Sequence, residues 1–431
     1  MKLLFVGIGR IGLPISLVAS DKKNIVYAYD NNFKTISNLK SKRIPFYEKG
    51  MKKLLINNIG KNFLPIHSLD EVKIKIDIIF ITIGTEVPKY PKNFSLNSFY
   101  KSIDKLINKF GLDVIYCLRT TVPIGTCDKI IKKYNKINLA FVPERLIEGD
   151  AISEEKKLPK IIGSNNLKTK KTLTNFFHKI GGKIIETTTL KTAEFCKLVD
   201  NSYRSTIFAF ANDLALTADK NEVDIYEVIN SINDGYKRNS IPFPGFVSGY
   251  CLSKDPYIFE YAYDYKNNKK HSTWFHARKS NDFLNQFLID KIIKNKFKKI
   301  LFLGISFKQD IDDFRLSHVI DITTKLQKLD NKININLYDP NINSNDYTDL
   351  KKFININKKI YFSDNLKDNI LFYEIDLVVI SHKHKQIKSI SKNILNKKII
   401  GRNIKIYDFW NIWSFLQKKY KNYYSFGRGT N

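Results

Sequence analysis

The stretch "KLLFVGIGRIGLPISLVAS" (residues 2–20) carries the reading on which the fold depends. It opens as a short apolar run of strand type that ends in glycine, and it continues with helical spacing. Gly7, Gly9 and Gly12 fit the pattern G-x-G-x-x-G at the junction. Gly7 permits the tight turn, Gly9 lets a pyrophosphate approach the backbone, and Gly12 lets helix and strand pack closely. The helix start that follows offers N–H groups and the positive end of its dipole to phosphates, beside Arg10 and Ile11. The next apolar run, "NIVYAYD" (24–30), ends in Asp30, 18 residues beyond Gly12. A carboxylate there accepts hydrogen bonds from ribose hydroxyls and repels a 2′-phosphate. Asn31 and Asn32 follow it rather than arginine, which points to NAD rather than NADP. The same glycine turn also occurs in α/β proteins that bind no dinucleotide, and Asp30 separates the two readings.

Runs of the same kind recur outward from this unit. "DIIFITIG" (77–84), "DVIYCLRTTVP" (113–123) and "INLAFVPE" (137–144) read as buried strands, separated by helical segments such as "SLNSFYKSIDKLINKF" (95–110). Strands alternating with helices predict a parallel, doubly wound sheet. From about Thr192 to Ile232 no glycine or proline interrupts the chain, and "IFAFANDLALTA" (207–218) is apolar on most faces. The spacing predicts a long helix, broken once near Asn221, packed between domains or against a second subunit. A second α/β pattern follows in "KKILFLGISFK" (298–308), "ININLYDP" (333–340), "IDLVVIS" (375–381) and "NIKIYDFW" (403–410). The fold class expected is α/β, with two doubly wound Rossmann-like domains joined by a long central helix. The segments "YKNNKKHSTW" (265–274) and "KNYYSFGRGTN" (421–431) carry little pattern.

Composition narrows the function classes. A chain of 431 residues with 43% hydrophobic and 26% charged residues is long enough for two or three domains, each with its own core. Four cysteines, Cys117, Cys127, Cys196 and Cys251, lack CxxC spacing. They read as reduced thiols in a cytoplasmic setting, with neither a disulfide framework nor a metal site expected. The first residues imitate a signal peptide, but Arg10 interrupts the apolar region, and no run is long enough to span a membrane. The net charge of +30 invites a nucleic-acid reading. Its lysines are scattered through the whole chain rather than gathered with aromatics into a stripe, so neither nucleic acid nor membrane is expected as partner. The charge suits an anionic small substrate.

Within "PGFVSGYCLSKDPY" (244–257), Cys251 stands four residues ahead of Asp255 in a loop punctuated by proline and glycine. By itself the cysteine reads equally as a nucleophile or as a small residue beside a turn, and Asp255 as a helix N-cap before "PYIFEYA". Six blocks taken together say more. "GIGRIGLP" (7–14), "RTTVPIGT" (119–126), "FVPERLIEGDA" (141–151), "AEFCKLVDNSY" (193–203), "PGFVSGYCLSKDPY" and "LGISFKQDIDDFRLS" (303–317) occur in the order found in nucleotide-sugar 6-dehydrogenases. The chain resembles that family, which includes UDP-glucose and UDP-N-acetylhexosamine dehydrogenases, over nearly its whole length.

The resemblance implies a four-electron oxidation of a sugar CH2OH to a carboxylate, with two NAD+ used in sequence. It implies an NAD-binding domain over 1–190, a central helical domain with the cysteine loop and a homodimer interface over 191–295, and a UDP-sugar domain over 296–431. Cys251 matches the essential cysteine. A thiolate adds to the aldehyde as a thiohemiacetal, which then loses hydride to leave a hydrolysable thioester. Lys197 and Asn201, four residues apart and on one helix face, match the pair that stabilises an oxyanion. Unmatched, such a pair reads as a solvated face. Asp255 and Thr121 match residues that hold a water. Glu144 matches the general base for thioester hydrolysis, with Glu148 in support, where surface acids are the plain alternative. On the cofactor side the resemblance adds Thr85, Thr121, Glu148 and Arg315, and Thr85 is followed by Glu86 where the family has proline. On the substrate side it adds Arg145 and Leu146 beside Glu144, Arg238 reaching a neighbouring subunit's substrate, Gly245, and Lys308 with Arg315 near nucleotide phosphates.

The cysteine loop departs from the "GGHC" of the acetylhexosamine enzymes, with Ser248 in place of a glycine and Tyr250 in place of histidine. The lysine before Asp255 resembles the UDP-glucose branch, and the "PG…DPY" frame the acetylamino branch. The balance favours a UDP-N-acetylhexosamine over UDP-glucose. A two-electron hydroxyacid or 6-phosphogluconate-type dehydrogenase would share the glycine turn and long helix without needing Cys251. A basic NAD-sensing or polynucleotide-binding protein is the non-enzymatic alternative.

Overall fold

The computed structural model describes residues 1–85, 95–263, 272–343, 350, 359–390 and 392–429. The chain separates into two compact units. One comprises Met1–Asp200 with Tyr257–Asp264, and the other Asn201–Pro256 with Tyr265–Asn431.

In the first unit the strands are β1 (Lys2–Val6), β2 (Ile25–Tyr29), β3 (Phe63–Ile66), β4 (Ile78–Ile81), β5 (Ile115–Leu118), β6 (Asn138–Phe141), β7 (Lys160–Ser164) and β8 (Ile184–Glu186). They form one sheet in the order β3-β2-β1-β4-β5-β6-β7-β8. Neighbours are parallel except β6 and β7, where Phe141 faces Gly163 in antiparallel register. Strand β1 explains the double winding. Its side chains alternate, so Leu3 and Phe5 enter the core on one face of the sheet while Leu4 and Val6 enter the core on the other. A strand apolar on both faces is buried only when helices cover both. The strand order reverses between β1 and β4, and a doubly wound sheet binds its ligand at the carboxyl ends of such a pair.

The second unit repeats this logic with β9 (Lys299–Leu303), β10 (Asn334–Tyr338), β11 (Ile360–Ser363), β12 (Leu377–Ile380), β13 (Lys405–Asp408) and β14 (Tyr423–Ser425). Their order is β11-β10-β9-β12-β13-β14, and every pair is parallel. Strand β9 sends Ile300 and Phe302 to one core and Leu301 and Leu303 to the other.

The long uninterrupted segment forms one helix, Leu190–Lys220, followed after a short turn by the helix Ile225–Asn233. The expected break near Asn221 is where the first helix ends. Strands β3, β7, β8, β11 and β14 lie outside the runs that the sequence marks as strands. The uninformative tail proves to be structural. Tyr424 donates from its hydroxyl to Asp219, Gly427 accepts from the Ile225 N–H at 2.8 Å, and Arg428 pairs with Asp224 at 2.6 Å. The basic segment 265–274 lies mostly outside the described residues.

Candidate active site

The glycine turn has the geometry its sequence requires. Gly7 sits at φ +88°, in the left-handed region, and donates its N–H to Tyr29 O at 2.9 Å. A Cβ on Gly12 would stand 2.0 Å from Gly7 O and 2.6 Å from Thr82 Oγ1, so only glycine fits. A Cβ on Gly9 would meet nothing within 4 Å, which leaves the backbone open on the side where a phosphate would lie. Thr82, one residue beyond β4, clamps the turn by donating its hydroxyl to Gly7 O at 2.6 Å. The helix Gly12–Asp21 has no side-chain cap at its N-terminus; Leu13 N–H donates to Gly9 O at 3.0 Å and Pro14 has no N–H, so an anion there is favoured chiefly by the helix dipole. Asp30 accepts the Ile8 N–H at 3.0 Å and the Asn32 N–H at 2.9 Å, which fixes its carboxylate at the end of β2. Arg10 lies over the Phe46 ring, 4.9 Å from its centroid, and 3.7 Å from the Glu148 carboxylate. Ile11 packs into the core beneath the turn.

The first unit also holds the carboxylate and the lysine singled out in the sequence. Glu144 is buried three residues past the end of β6, and its carboxylate accepts the Leu146 N–H. Lys197 is buried as well and donates to Glu144 O at 2.5 Å. Burial pushes the Glu144 carboxyl above its ordinary pKa, against the pull of the Lys197 ammonium and the Arg119 guanidinium. Arg119 belongs to a buried ion cluster. It pairs with Glu155 at 2.7 Å, and Lys160 reaches the same carboxylate at 3.3 Å. Burial would raise Glu155, but Arg119 and Lys160 outweigh it and hold the carboxyl below the usual range. Thr85 donates its hydroxyl to Thr121 O at 3.2 Å, joining the loops after β4 and β5. Glu86 lies outside the described residues. Arg145 donates to Pro159 O at 3.0 Å, and Leu146 packs on the core.

The second unit holds the cysteine. Cys251 is exposed at the second position of the helix Tyr250–Glu260. Asp255 lies one turn further along the same helix, on the face that Cys251 shares. It is therefore not an N-cap. Asn201 donates to Asp255 at 2.6 Å, and both side chains are buried. The other oxygen of Asp255 has no hydrogen-bond partner among the described residues and stands 3.8 Å from the Lys254 ammonium. Pro256 lies inside this helix and has no N–H to give the carbonyl four residues earlier. That carbonyl belongs to Leu252. Arg278, itself buried, donates to it at 3.3 Å and to Val247 O at 3.2 Å.

The sequence models of the UDP-glucose/GDP-mannose dehydrogenase family match residues 1–181 (NAD binding domain), 191–283 (central domain) and 301–415 (UDP binding domain). A UDP-N-acetyl-D-mannosamine dehydrogenase of Campylobacter jejuni is 30% identical over 369 residues, 79% of this chain and 87% of that one. The chain belongs to the UDP-glucose/GDP-mannose dehydrogenase family. It is an NAD-dependent nucleotide-sugar dehydrogenase acting on a UDP-sugar. A UDP-glucose 6-dehydrogenase of Campylobacter jejuni is 26% identical over 415 residues, 94% of this chain and 100% of that one. The solved UDP-D-ManNAc dehydrogenase of Pyrococcus horikoshii shares the fold over the full length of both chains, with a TM-score of 0.82 at 22% identity.

Within this family of two Rossmann-like sheets, the acids that end the second strands behave differently. Asp30 in the first sheet is half-buried, and the open face at Gly9 fits a bound NAD. Its counterpart Asp339, after β10, is fully buried. It accepts from Ile305 N at 2.7 Å, Ser306 N at 2.8 Å and Asn341 N at 2.9 Å, with His384 at 3.4 Å. Asp339 is fully buried in holding the turn after β9, so it offers no exposed oxygen to a ribose. The second sheet keeps the Rossmann turn, with Gly304 at φ +97°, without the dinucleotide-binding carboxylate.

The remaining residues named from the sequence lie in the second unit. Gly245 packs against Trp410, whose ring a Cβ would approach to 2.8 Å, and gives its N–H to Asn212 at 2.8 Å. Packing against Trp410 leaves no room for a side chain there. Arg238 is exposed, lying over Tyr236 on its own loop. Lys308 is half-buried in the turn after β9. Arg315 is held by Asp313 at 2.7 Å and lies over the Tyr250 ring, 5.4 Å from its centroid. Thr82, Arg119, Glu194 and Arg278 were not read from the sequence. Glu194 accepts from Gly125 N at 2.6 Å and Cys127 N at 2.8 Å, tying the loop after β5 to the long helix. Of these, only Arg278 left a signal, through the proline that frees its carbonyl partner.

Proposed function

We propose that the chain oxidises the C6 hydroxymethyl of a UDP-N-acetylhexosamine to the carboxylate, in two steps, with Cys251 as covalent nucleophile. The observation that carries this is the buried Asn201–Asp255 hydrogen bond one helical turn from the exposed Cys251. NAD, when bound, accepts hydride. The chain's own groups do the rest. Asp255 has a carboxylate oxygen to receive a proton or hold a water, and Asn201 orients it. The Cys251 thiolate adds to the aldehyde carbon, and loss of hydride leaves a thioester on Sγ. Lys197 and Asn201, one turn apart on their helix, stabilise the oxyanion with an ammonium and an amide N–H. Glu144, its pKa raised by burial, takes the proton of the water that cleaves the thioester, and Thr121 orients that water. Arg145, Leu146, Arg238, Gly245 and Lys308 bind the sugar nucleotide in this reading, and Thr85, Glu148 and Arg315 the cofactor. The 30% identity to the Campylobacter jejuni UDP-N-acetyl-D-mannosamine dehydrogenase supports an acetylamino sugar. The UDP-glucose 6-dehydrogenase at 26% is the alternative that the test must separate.

Phe195, Val199, Tyr203 and Phe210 are 47%, 40%, 59% and 52% exposed and fall on one face of the long helix. A face of that kind supports a homodimer built on this helix, with 191–295 as its central domain between 1–190 and 296–431. None of the four cysteines is in a disulfide, and no described helix is long and apolar enough to cross a membrane. The disulfide-free thiols support a reducing, cytoplasmic setting.

The test is NADH stoichiometry on a panel of UDP-sugars, with the native chain and Cys251→Ser. Two NADH per acetylamino sugar, and a stalled or covalently trapped intermediate in the variant, are expected. One NADH per sugar, or an unimpaired variant, rejects the cysteine route. A strong preference for UDP-glucose rejects the substrate.

A further inference from the structure

The unusual serine of the cysteine loop has a partner. Ser248 Oγ lies 3.1 Å from His318 Nδ1, and the His318 ring stacks on Phe246 with centroids 4.2 Å apart and planes 12° from parallel. One imidazole thus grips two residues of the loop that leads into the helix carrying Cys251. The tautomer follows from the other ring nitrogen. His318 Nε2 is 3.1 Å from Ser381 O, and a carbonyl only accepts, so Nε2 carries the proton. Nδ1 is then a bare acceptor at 3.1 Å, nearer than Phe307 O at 3.4 Å, and the Ser248 hydroxyl donates to it. His318 is 2% exposed, and burial pushes its pKa down to about 3, so the ring stays a neutral acceptor at working pH.

The same segment holds the loop at a third point. Gly249 donates its N–H to Leu316 O at 3.0 Å, and a Cβ there would stand 2.3 Å from the Phe307 ring. Ser253 N in turn donates to Gly249 O at 3.2 Å, so the first turn of the helix is seated on the clamped residue.

We propose that His318 is a positioning residue for Cys251, fixing through Ser248 and Phe246 the backbone from which the thiol projects. This rests on the reading of Cys251 as nucleophile. Ser248 is then a compensated departure from the family's glycine, since its hydroxyl is tied to the imidazole that opens the helix His318–Leu329.

The test uses Ser248→Ala, His318→Phe, which keeps the stack and loses the acceptor, and the double variant, with Ser248→Thr as the conservative control. Readouts are kcat, KM for both substrates, and the pH dependence of Cys251 alkylation by iodoacetamide, followed on its peptide by mass spectrometry. Each single variant is expected to lower kcat by about tenfold or more with KM changed less than about twofold, and to alter the alkylation profile. The double variant is expected to be no worse than the weaker single, and Ser248→Thr to behave as the native chain. Multiplicative losses in the double variant, or native kcat and alkylation in Ser248→Ala, overturn the proposal even if His318→Phe fails to fold. Cys251→Ala run alongside separates the two ideas. If it turns over normally, the nucleophile reading fails, whereas if it is dead while Ser248→Ala is native in both readouts, only the positioning role fails.

Discussion

Asn201 donates a 2.6 Å hydrogen bond to Asp255 across 54 residues of sequence, and both side chains are buried. A carboxylate withdrawn from water needs such a donor, because the charged form is otherwise costly to keep. Asn201→Ala leaves Asp255 with Lys254 alone, at 3.8 Å. The expected cost is about 2 to 3 kcal/mol of stability, together with a loss of turnover of about a hundredfold. Chemical denaturation and steady-state kinetics read the two effects separately. Full turnover in a destabilised protein would make the bond structural only.

The glycine turn separates packing from binding at two positions three residues apart. A Cβ at Gly12 meets Gly7 O at 2.0 Å, so Gly12→Ala must displace backbone, at about 1 to 3 kcal/mol or more. A Cβ at Gly9 meets no protein atom within 4 Å. Gly9→Ala is expected to change stability by less than about 0.5 kcal/mol while raising the dissociation constant for NAD. Thermal melts with and without NAD check both. Equal loss of stability in the two variants would contradict the geometry.

Much of this was legible in the sequence, and the reason is periodicity. Strands β1 and β9 are apolar at every position that matters, because both of their faces are covered, and such runs stand out from the helices between them. Edge strands β8 and β14, at three residues each, give no comparable signal. The six motif blocks located Cys251, Asp255, Asn201 and Glu144. They could not show that Asp255 is gripped by Asn201, because that contact depends on how the two helices pack. Arg119, Glu155 and Lys160 escaped for a related reason. Charged residues read as surface, and only the tertiary structure makes them a buried cluster, with Arg119 and Glu155 side chains 2% and 3% exposed.

Burial sets the direction of one pH effect. The Glu144 carboxyl is raised above its ordinary value of 4.5 by desolvation, with Lys197 and Arg119 opposing. In the proposed mechanism Glu144 is the general base, which works only when deprotonated, so turnover is expected to fall as pH falls through that raised value. The acidic limb of the kcat profile is therefore expected above pH 4.5 in the native chain. Lys197→Met removes the principal opposing charge and should shift the limb of its residual activity further up. Glu144→Gln should abolish it. A limb that ignores both substitutions would assign the titration to another group.

The exposed face of the long helix makes a prediction about assembly. Tyr203 and Phe210, at 59% and 52%, are the most exposed of its four large apolar residues. Tyr203→Glu combined with Phe210→Glu puts two carboxylates where a second copy would seat, and like charges across a two-fold meet themselves. Light scattering is expected to find the native chain dimeric and the variant monomeric. A native chain that is monomeric at micromolar concentration would remove the dimer from the reading.

We propose that cofactor choice turns on Asp30. Its two oxygens already accept the Ile8 and Asn32 N–H groups, which fixes the carboxylate at the end of β2 with its negative charge uncompensated by a nearby arginine of the next turn. Charge, more than shape, is then what excludes a 2′-phosphate. Asp30→Asn keeps the volume but removes the charge, and it also sets an amide N–H against a backbone donor unless the side chain turns its oxygen inward. With that single orientation, one of the two backbone N–H groups loses its strong acceptor, a cost of about 1 kcal/mol. The KM for NAD should rise, and discrimination against NADP should shrink by about tenfold or more as repulsion between two charges is lost. Measuring kcat/KM for both cofactors in native and variant protein decides it. An unchanged ratio would mean that steric closure of the pocket, and not the carboxylate's charge, selects the cofactor.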